Sequence, residues 1–106
     1  MSSGEAHLHV EIDDATTPVR VVAVGEVDAA SAPWLDEAIS VAVSSGAGAV
    51  VLDLGGVTFL DSSGLRVLTA AVTEAERVGQ RVAVSAASQV VERVLSMTGL
   101  TGLLDP

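Results

Sequence analysis

Four consecutive residues, Asp61-Ser-Ser-Gly64, are the stretch of this chain whose residue types could do chemistry. They follow a short apolar run and precede apolar residues at helical spacing. A helix needs one N-cap, and either Asp61 or Ser62 would accept a hydrogen bond from a first-turn amide. Glycine in a fully helical first turn costs about 1 kcal/mol relative to alanine. Capping alone leaves this surplus unexplained, so the pattern predicts a place where a second molecule approaches the backbone beside a free hydroxyl.

Phosphorylation is the chemistry that suits the Ser62 hydroxyl. A strand-to-helix junction lies at the sheet edge where α/β proteins place functional groups, and a helix N-terminus accepts an anion. A phosphoryl group adds about −1.5 to −2 charges at neutral pH, and the helix dipole stabilises that charge by about 0.3–1 kcal/mol. We therefore expect phosphorylation to leave the fold intact and to act on whatever docks over this corner. The alternative is an ordinary helix start with more caps than it needs.

The residue inventory argues against an enzyme. The chain has no lysine, which a P-loop requires, and no Gly-x-Ser-x-Gly nucleophile elbow. His7 and His9 share one face of a predicted strand and could chelate a metal, but a third ligand is missing, so a solvent-facing strand edge is the favoured interpretation. Cysteine is absent, which excludes disulfides and thiolate sites. No cofactor and no metal are predicted.

Length and charge restrict the class of protein further. A chain of 106 residues, 49% hydrophobic with a mean hydropathy of +0.54, is expected to form one folded domain. No apolar run approaches the ~20 residues of a membrane span, and no signal peptide is evident, so the cytoplasm is the expected location. The net charge of −9 disfavours nucleic acid and anionic membranes as direct partners. It suits a basic or mixed-charge protein surface, and solubility alone is an equally good explanation.

The pattern of elements predicts an α/β domain over residues 7–106, preceded by a flexible tail over residues 1–6. Period-2 alternation or continuous apolar character predicts strands, at 7–12, 19–25, 49–54 and 81–86. Helical spacing predicts helices that begin near Ser31, Ser62 and Ser88. Gly55-Gly56 is expected to end the third strand, and residues 100–104 form either an edge strand or a docked turn. The fold class is a mixed four- to five-stranded sheet with about three to four helices.

The chain has two aromatic residues, Trp34 and Phe59. Trp34, near the start of the first helix, could anchor a partner, but a partly buried cover on the core is the more usual role. Phe59, in the apolar run before Asp61, is expected to lie in the core.

Three short segments lie at or next to the ends of the predicted elements. Phe59-Leu-Asp-Ser-Ser-Gly-Leu65 joins a strand to a helix, Gly25-Glu-Val-Asp28 follows the second strand, and Met97-Thr-Gly-Leu100 ends the third helix. Together they make the chain resemble the STAS-domain anti-sigma factor antagonists of bacteria, over about residues 7–104. Asp-Ser-Ser-Gly alone would be a weak match.

The resemblance implies a switch that works by phosphorylation. It makes Ser62 the residue phosphorylated by an anti-sigma factor that is itself a serine/threonine kinase. The unmodified form would bind this kinase and so release a sigma factor, and a serine phosphatase would restore the hydroxyl. Another role within the same family is a constitutive STAS scaffold, or a soluble STAS partner of a transporter complex, in which Ser62 does not act as a switch.

The resemblance also implies a set of partner-binding residues around Ser62: Asp28, Asp61, Ser63, Gly64, Leu65 and Arg66. Asp61 would shape the loop, Asp28 would lie on the rim that faces the partner, and Ser63 would cap the helix or support the loop. Gly64 would let the kinase backbone approach. Arg66 would either pair with the phosphate or remain an ordinary solvated helix residue, and the second is the more usual case.

Overall fold

The computed structural model of the chain describes residues 2–5, 7–15 and 17–104, which form one mixed sheet and three α-helices. The five strands are β1 Ser2–Glu5, β2 Leu8–Asp13, β3 Val19–Val27, β4 Ala49–Leu60 and β5 Arg81–Ala87. The helices are α1 Ala32–Ser44, α2 Ser62–Arg77 and α3 Gln89–Met97. The predicted fold class is confirmed, with the number of strands at the upper end of the expected range.

The strands lie across the sheet in the order in which they occur in the chain. β1, β2 and β3 are antiparallel neighbours, whereas β3, β4 and β5 run parallel, with α1 and α2 as the crossovers between them. Parallel strands end at the same edge of a sheet. The segments that follow β3 and β4, which contain Asp28 and Ser62, therefore meet at one edge.

The N-terminal segment differs from its prediction as a flexible tail over residues 1–6. Residues 2–5 form β1, which pairs with β2 from Ser2 opposite Glu11 to Glu5 opposite Leu8. This short polar segment has no hydrophobic alternation to predict a strand, and its pairing depends on the exposed edge that β2 offers. Met1 and Ala6 lie outside the described residues.

One face of the sheet packs against the helices. Alternate residues of β2, β3 and β4 point into a single buried core, to which α1, α2 and α3 all contribute. Its largest fully buried side chains include Leu8, Leu35, Leu52, Leu54, Leu68 and Leu95. Residues between them on β2 and β3, such as Glu11 and Val24, face the other way and stay exposed. We call this second side the open face of the sheet.

Strand β4 continues through Gly55-Gly56, so the predicted break there is wrong. The β3–β4 register shifts between Val22 and Val24 and again between Gly25 and Glu26, which identifies two bulges. A Cβ added at Gly56 would lie 3.0 Å from Cγ2 of Val24. Glycine inside a strand often marks a bulge or a close approach rather than an end, and here it does both.

The C-terminal apolar segment is a docked turn, one of its two predicted forms. Residues Thr101–Leu103 form a short 3-10 helix, and Leu104 makes an isolated parallel bridge with Val84 of β5. The turn packs against the core through partly buried Leu100, Leu103 and Leu104.

Candidate functional site

The site lies where β3 and β4 end side by side. Val27 and Leu60 are the last paired residues of the two strands, and both are buried. The N–H of Asp61 then donates a hydrogen bond to the carbonyl oxygen of Val27 over 3.3 Å. This bond joins the loop that begins at Asp28 to the loop that begins at Asp61.

Asp61 is the N-cap of α2. Its Oδ1 accepts hydrogen bonds from the backbone N–H of Ser63 at 2.8 Å and of Gly64 at 3.3 Å. The backbone of Asp61 is extended, as an N-cap requires. Asp61 therefore shapes the loop by satisfying two amides that the helix itself leaves unpaired.

Ser62 is the first residue of α2 and is exposed. Within the part of the chain that the structure describes, its hydroxyl makes no hydrogen bond. Because Asp61 already serves the first-turn amides, the Ser62 hydroxyl is not needed for the cap. It remains accessible to another molecule.

The Ser63 side chain does not cap α2. Its backbone N–H donates to Asp61, while its half-buried hydroxyl has no hydrogen-bond partner among the described residues. Of its two predicted roles, capping the helix is wrong, because the carboxylate of Asp61, two residues earlier, is the N-cap. The other role, supporting the loop, stays a prediction. Sequence alone does not decide which of three consecutive capping-type residues acts as the cap.

Gly64 is required by packing inside the domain. It is buried, and a Cβ built there would lie 2.2 Å from Cδ1 of Leu60 and 2.9 Å from Cγ1 of Val27. Only a residue without a side chain lets the start of α2 lie this close to the ends of both strands. The structure thus corrects the expectation that Gly64 leaves room for a partner's backbone: the room is taken by this chain's own core.

Asp28 organises the neighbouring loop. Its Oδ1 accepts hydrogen bonds from the N–H groups of Ala30 and Ser31, each at 3.0 Å. The hydrogen bonds from the backbone and side chain of Ser31 hold the pKa of Asp28 below its ordinary value. Asp28 is half-buried, so part of its surface still faces solvent beside Asp61.

Ser31, near which the first helix is predicted to begin, also supports the loop before that helix. It is completely buried, and its hydroxyl donates to the carbonyl of Glu26 at 2.7 Å and accepts from the N–H of Asp28 at 2.9 Å. It makes no side-chain cap bond to α1, although it occupies the N-cap position. The spacing Asp-x-x-Ser after a strand is the signal that could have indicated this closed loop.

Leu65 and Arg66 complete the predicted set. Leu65 is half-buried, whereas Arg66 is exposed. Arg66 lies four residues after Ser62, the spacing that places two side chains next to each other on a helix. Among residues 2–5, 7–15 and 17–104, its guanidinium forms no ion pair.

Phe59 lies on the surface, which overturns its prediction as a core residue. Its side chain is 45% exposed, and it pairs across the strands with Glu26. The bulge at Thr58 inserts a residue and so changes which positions of β4 face the core. Trp34 is partly exposed at the start of α1, which leaves both of its interpretations open.

The described part of the chain holds no group of three or more His, Cys, Asp or Glu residues that could bind a metal ion. His9 lies beside Glu11, with Nε2 and Oε1 2.9 Å apart. No described helix is both long and apolar enough to cross a membrane.

Comparison with known proteins bears on this arrangement. The family model described as "Mlab, STAS domain" matches residues 9–105. The anti-sigma-F factor antagonist RsfB of Mycobacterium tuberculosis (strain H37Rv) is 40% identical over 78 residues, which is 72% of this chain. That match spans 62% of the length of RsfB.

Solved structures agree on the fold. An anti-sigma factor antagonist from Mycobacterium paratuberculosis has a TM-score of 0.81 and 30% identity, over 92% of this chain and 82% of that one. SpoIIAA in its unphosphorylated form has a TM-score of 0.76 and 24% identity, over 91% and 85%. SpoIIAA of Bacillus in its phosphorylated form gives 0.71 and 23%, over 91% and 88%. On the family match and the shared fold, this chain belongs to the STAS domain family, whose similar members include anti-sigma factor antagonists.

Proposed function

We propose that this protein is an anti-sigma factor antagonist whose binding is switched by phosphorylation of Ser62. The unphosphorylated form binds an anti-sigma serine/threonine kinase and so releases a sigma factor, and a serine phosphatase reverses the modification. The observation that carries the proposal is the exposed Ser62 hydroxyl, which has no hydrogen-bond partner in the described chain and begins α2. The named function of RsfB and the existence of phosphorylated SpoIIAA support it.

The local structure can tolerate a phosphate at Ser62. Asp61 holds the loop through the amides of Ser63 and Gly64, so modifying Ser62 breaks no bond that the fold uses. The added charge of about −1.5 to −2 lies at the positive end of the α2 dipole. Arg66, one turn along and without an ion pair in the described residues, can offset part of this charge.

The same charge is poorly tolerated inside a protein interface. A dianion that is desolvated without full compensation costs several kcal/mol. Every ~1.4 kcal/mol lost weakens binding tenfold. Phosphorylation therefore leaves the domain folded but causes the complex with the kinase to dissociate.

The residues around Ser62 divide between shaping the surface and contacting the partner. Asp61 and Asp28 fix the two adjacent loops and expose the remainder of their carboxylates to the partner. Leu65 and Arg66 provide a half-buried apolar contact and a cation on the first turns of α2. Ser63 borders this surface, and Gly64 acts only through the close packing that sets the position of α2.

Mass spectrometry tests the proposal. The purified protein is incubated with the cognate anti-sigma kinase and Mg-ATP, and its intact mass is measured before peptide mapping. We expect one added phosphoryl group on Ser62, none in Ser62→Ala and a normal level in the neighbouring control Ser63→Ala. Modification at Ser63 instead, or none in the wild-type chain, would contradict the proposal. A constitutive scaffold, the alternative role, would bind its partner equally well before and after this treatment.

A further inference from the structure

Two exposed apolar side chains lie on the open face of the sheet close to the Ser62 corner. Val24 is 49% exposed and Phe59 is 45% exposed. Single exposed apolar residues are common on protein surfaces, but neighbouring ones near a functional loop call for an explanation. The other large exposed apolar side chains among the described residues lie on helices or at their ends.

The register of β3 and β4 places these side chains near each other. Val24 is paired with Gly56, and Glu26 is paired with Phe59, with the pair Gly25–Val57 between them. Phe59 therefore lies two register positions along from Val24 on the neighbouring strand, and both side chains are exposed. Gly56 has no side chain, so only backbone atoms lie next to the methyl groups of Val24. We call Val24, Gly56 and Phe59 the ribbon patch.

The ribbon patch is continuous with the Ser62 corner. Phe59 precedes Ser62 by three residues, and Glu26 precedes Asp28 by two. Strand pairing ends at Leu54 on the β5 side and at Gly25 on the β2 side, where the N–H of Glu26 still donates to the carbonyl oxygen of His7 at 2.7 Å. Beyond these points β3 and β4 pair only with each other, as a two-stranded ribbon with the patch on its open face and the two functional loops at its end.

The fold itself does not need these exposed side chains. The core side of the ribbon is filled by Val27, Val57 and Leu60, all buried. Phe59 and Val24 face away from that core, so truncating them removes little packing. Aromatic residues such as Phe are enriched at the centres of interfaces, with polar residues around them at the rim.

We propose that the ribbon patch is the apolar part of the surface that binds the anti-sigma factor, a proposal that rests on the proposed function. The partner would bring an apolar side chain to Phe59 and Val24, flanked by lysine or arginine. The basic flank is argued from exposed Glu26 beside Phe59, from Asp28 at the tip and from the net charge of −9. An apolar contact excludes water next to Ser62, and this exclusion makes a phosphate there costly.

A titration of matched variants tests the ribbon patch. Phe59→Ala and Val24→Ala are compared with Val78→Ala, a valine of similar exposure (44%) at the far end of α2. Binding to the cognate anti-sigma kinase is measured by calorimetry without ATP, after melting curves confirm that each variant is folded. We expect Phe59→Ala to weaken binding at least ~tenfold and Val24→Ala about threefold, with Val78→Ala within about twofold of wild type.

The outcomes separate this inference from the proposed switch. If Phe59→Ala and Val24→Ala both bind like Val78→Ala while Ser62→Asp does not bind, the patch is overturned and the switch stands. If Phe59→Ala weakens binding while Ser62→Asp binds normally, the patch stands and the switch is overturned. If the unphosphorylated wild-type chain binds no anti-sigma kinase, both are overturned.

Discussion

The backbone N–H of Asp61 donates to the carbonyl oxygen of Val27, which places the first loop residue after β4 against the last residue of β3. Asp28 and Ser62 each follow one of the two joined residues. A modified Ser62 therefore lies on the same surface as the loop that is held by the hydrogen bonds between Asp28 and Ser31.

Removing the cap should weaken the domain measurably. In Asp61→Ala, the N–H groups of Ser63 and Gly64 lose their acceptor, and we expect the free energy of unfolding to fall by about 1 kcal/mol, within the 0.5–2 kcal/mol range of N-cap removal. Urea denaturation measures this change. Asp61→Asn retains a side-chain acceptor and serves as the control. Equal stability of Asp61→Ala and wild type would contradict the assigned cap.

Adding one methyl group at Gly64 should destabilise the fold. The new Cβ would clash with buried Leu60 and Val27, and overpacking of this kind costs about 1–3 kcal/mol. The helix propensity of alanine returns up to about 1 kcal/mol. Gly102→Ala is the control, because a Cβ there meets nothing within 4 Å. If Gly64→Ala is as stable as wild type but binds its partner poorly, then Gly64 serves the partner and not the core.

Replacement by alanine should affect stability very differently at two serines, one of which precedes a helix while the other begins one. Ser31→Ala removes, from a completely buried position, the acceptor of the Asp28 N–H and a donor to the carbonyl of Glu26, which costs about 1–3 kcal/mol. Ser62→Ala removes an exposed hydroxyl with no described bond and should stay within about 0.5 kcal/mol of wild type. Thermal unfolding of the two variants side by side measures the contrast. A large loss in Ser62→Ala would show that its hydroxyl supports the fold.

Arg66 should stabilise the doubly charged form of a phosphate on Ser62. A neighbouring cation lowers the second pKa of the phosphate, and an exposed i,i+4 ion pair contributes about 0.2–0.5 kcal/mol. We expect this pKa, followed by ³¹P NMR, to rise by a few tenths of a unit, about 0.15–0.4, in phosphorylated Arg66→Gln. Arg77→Gln, which changes an arginine already paired with Glu74 at the other end of α2, should leave it unchanged. Identical titrations of all three proteins would make Arg66 an ordinary solvated residue.

The sequence predicts the elements better than it predicts the surfaces that they expose. Apolar patterning predicts α1, α2, α3 and the strands β2 to β5 because those segments bury continuous stripes. Phe59 differs from its prediction because the bulge at Thr58 changes the inward–outward alternation, and the residue types at Thr58 and Phe59 do not indicate a bulge there. β1 has no apolar alternation that would predict a strand. It forms because β2 offers an exposed edge for pairing.

The local features of the candidate site can be predicted from the sequence, whereas its contacts with the rest of the domain cannot. The run Asp61-Ser-Ser-Gly64 was sufficient to predict a helix start with a free hydroxyl, because capping is a local interaction. Which residue caps, and what Gly64 contacts, depend on Leu60 and Val27, which reach the site only in the folded chain. The Asp-x-x-Ser spacing indicates a closed loop at Ser31, but the partners of its hydroxyl, on Glu26 and Asp28, are set by the course of the folded loop.

The affinity of the cognate anti-sigma kinase for the protein with and without a phosphate on Ser62 tests the central claim most directly. The two forms, each verified by intact mass, are titrated into the kinase by calorimetry in the absence of ATP. Their melting temperatures are compared in parallel. We predict that phosphorylation weakens binding at least ~100-fold, as expected for a desolvated dianion, while both forms stay folded. Equal affinity of the two forms would contradict the account.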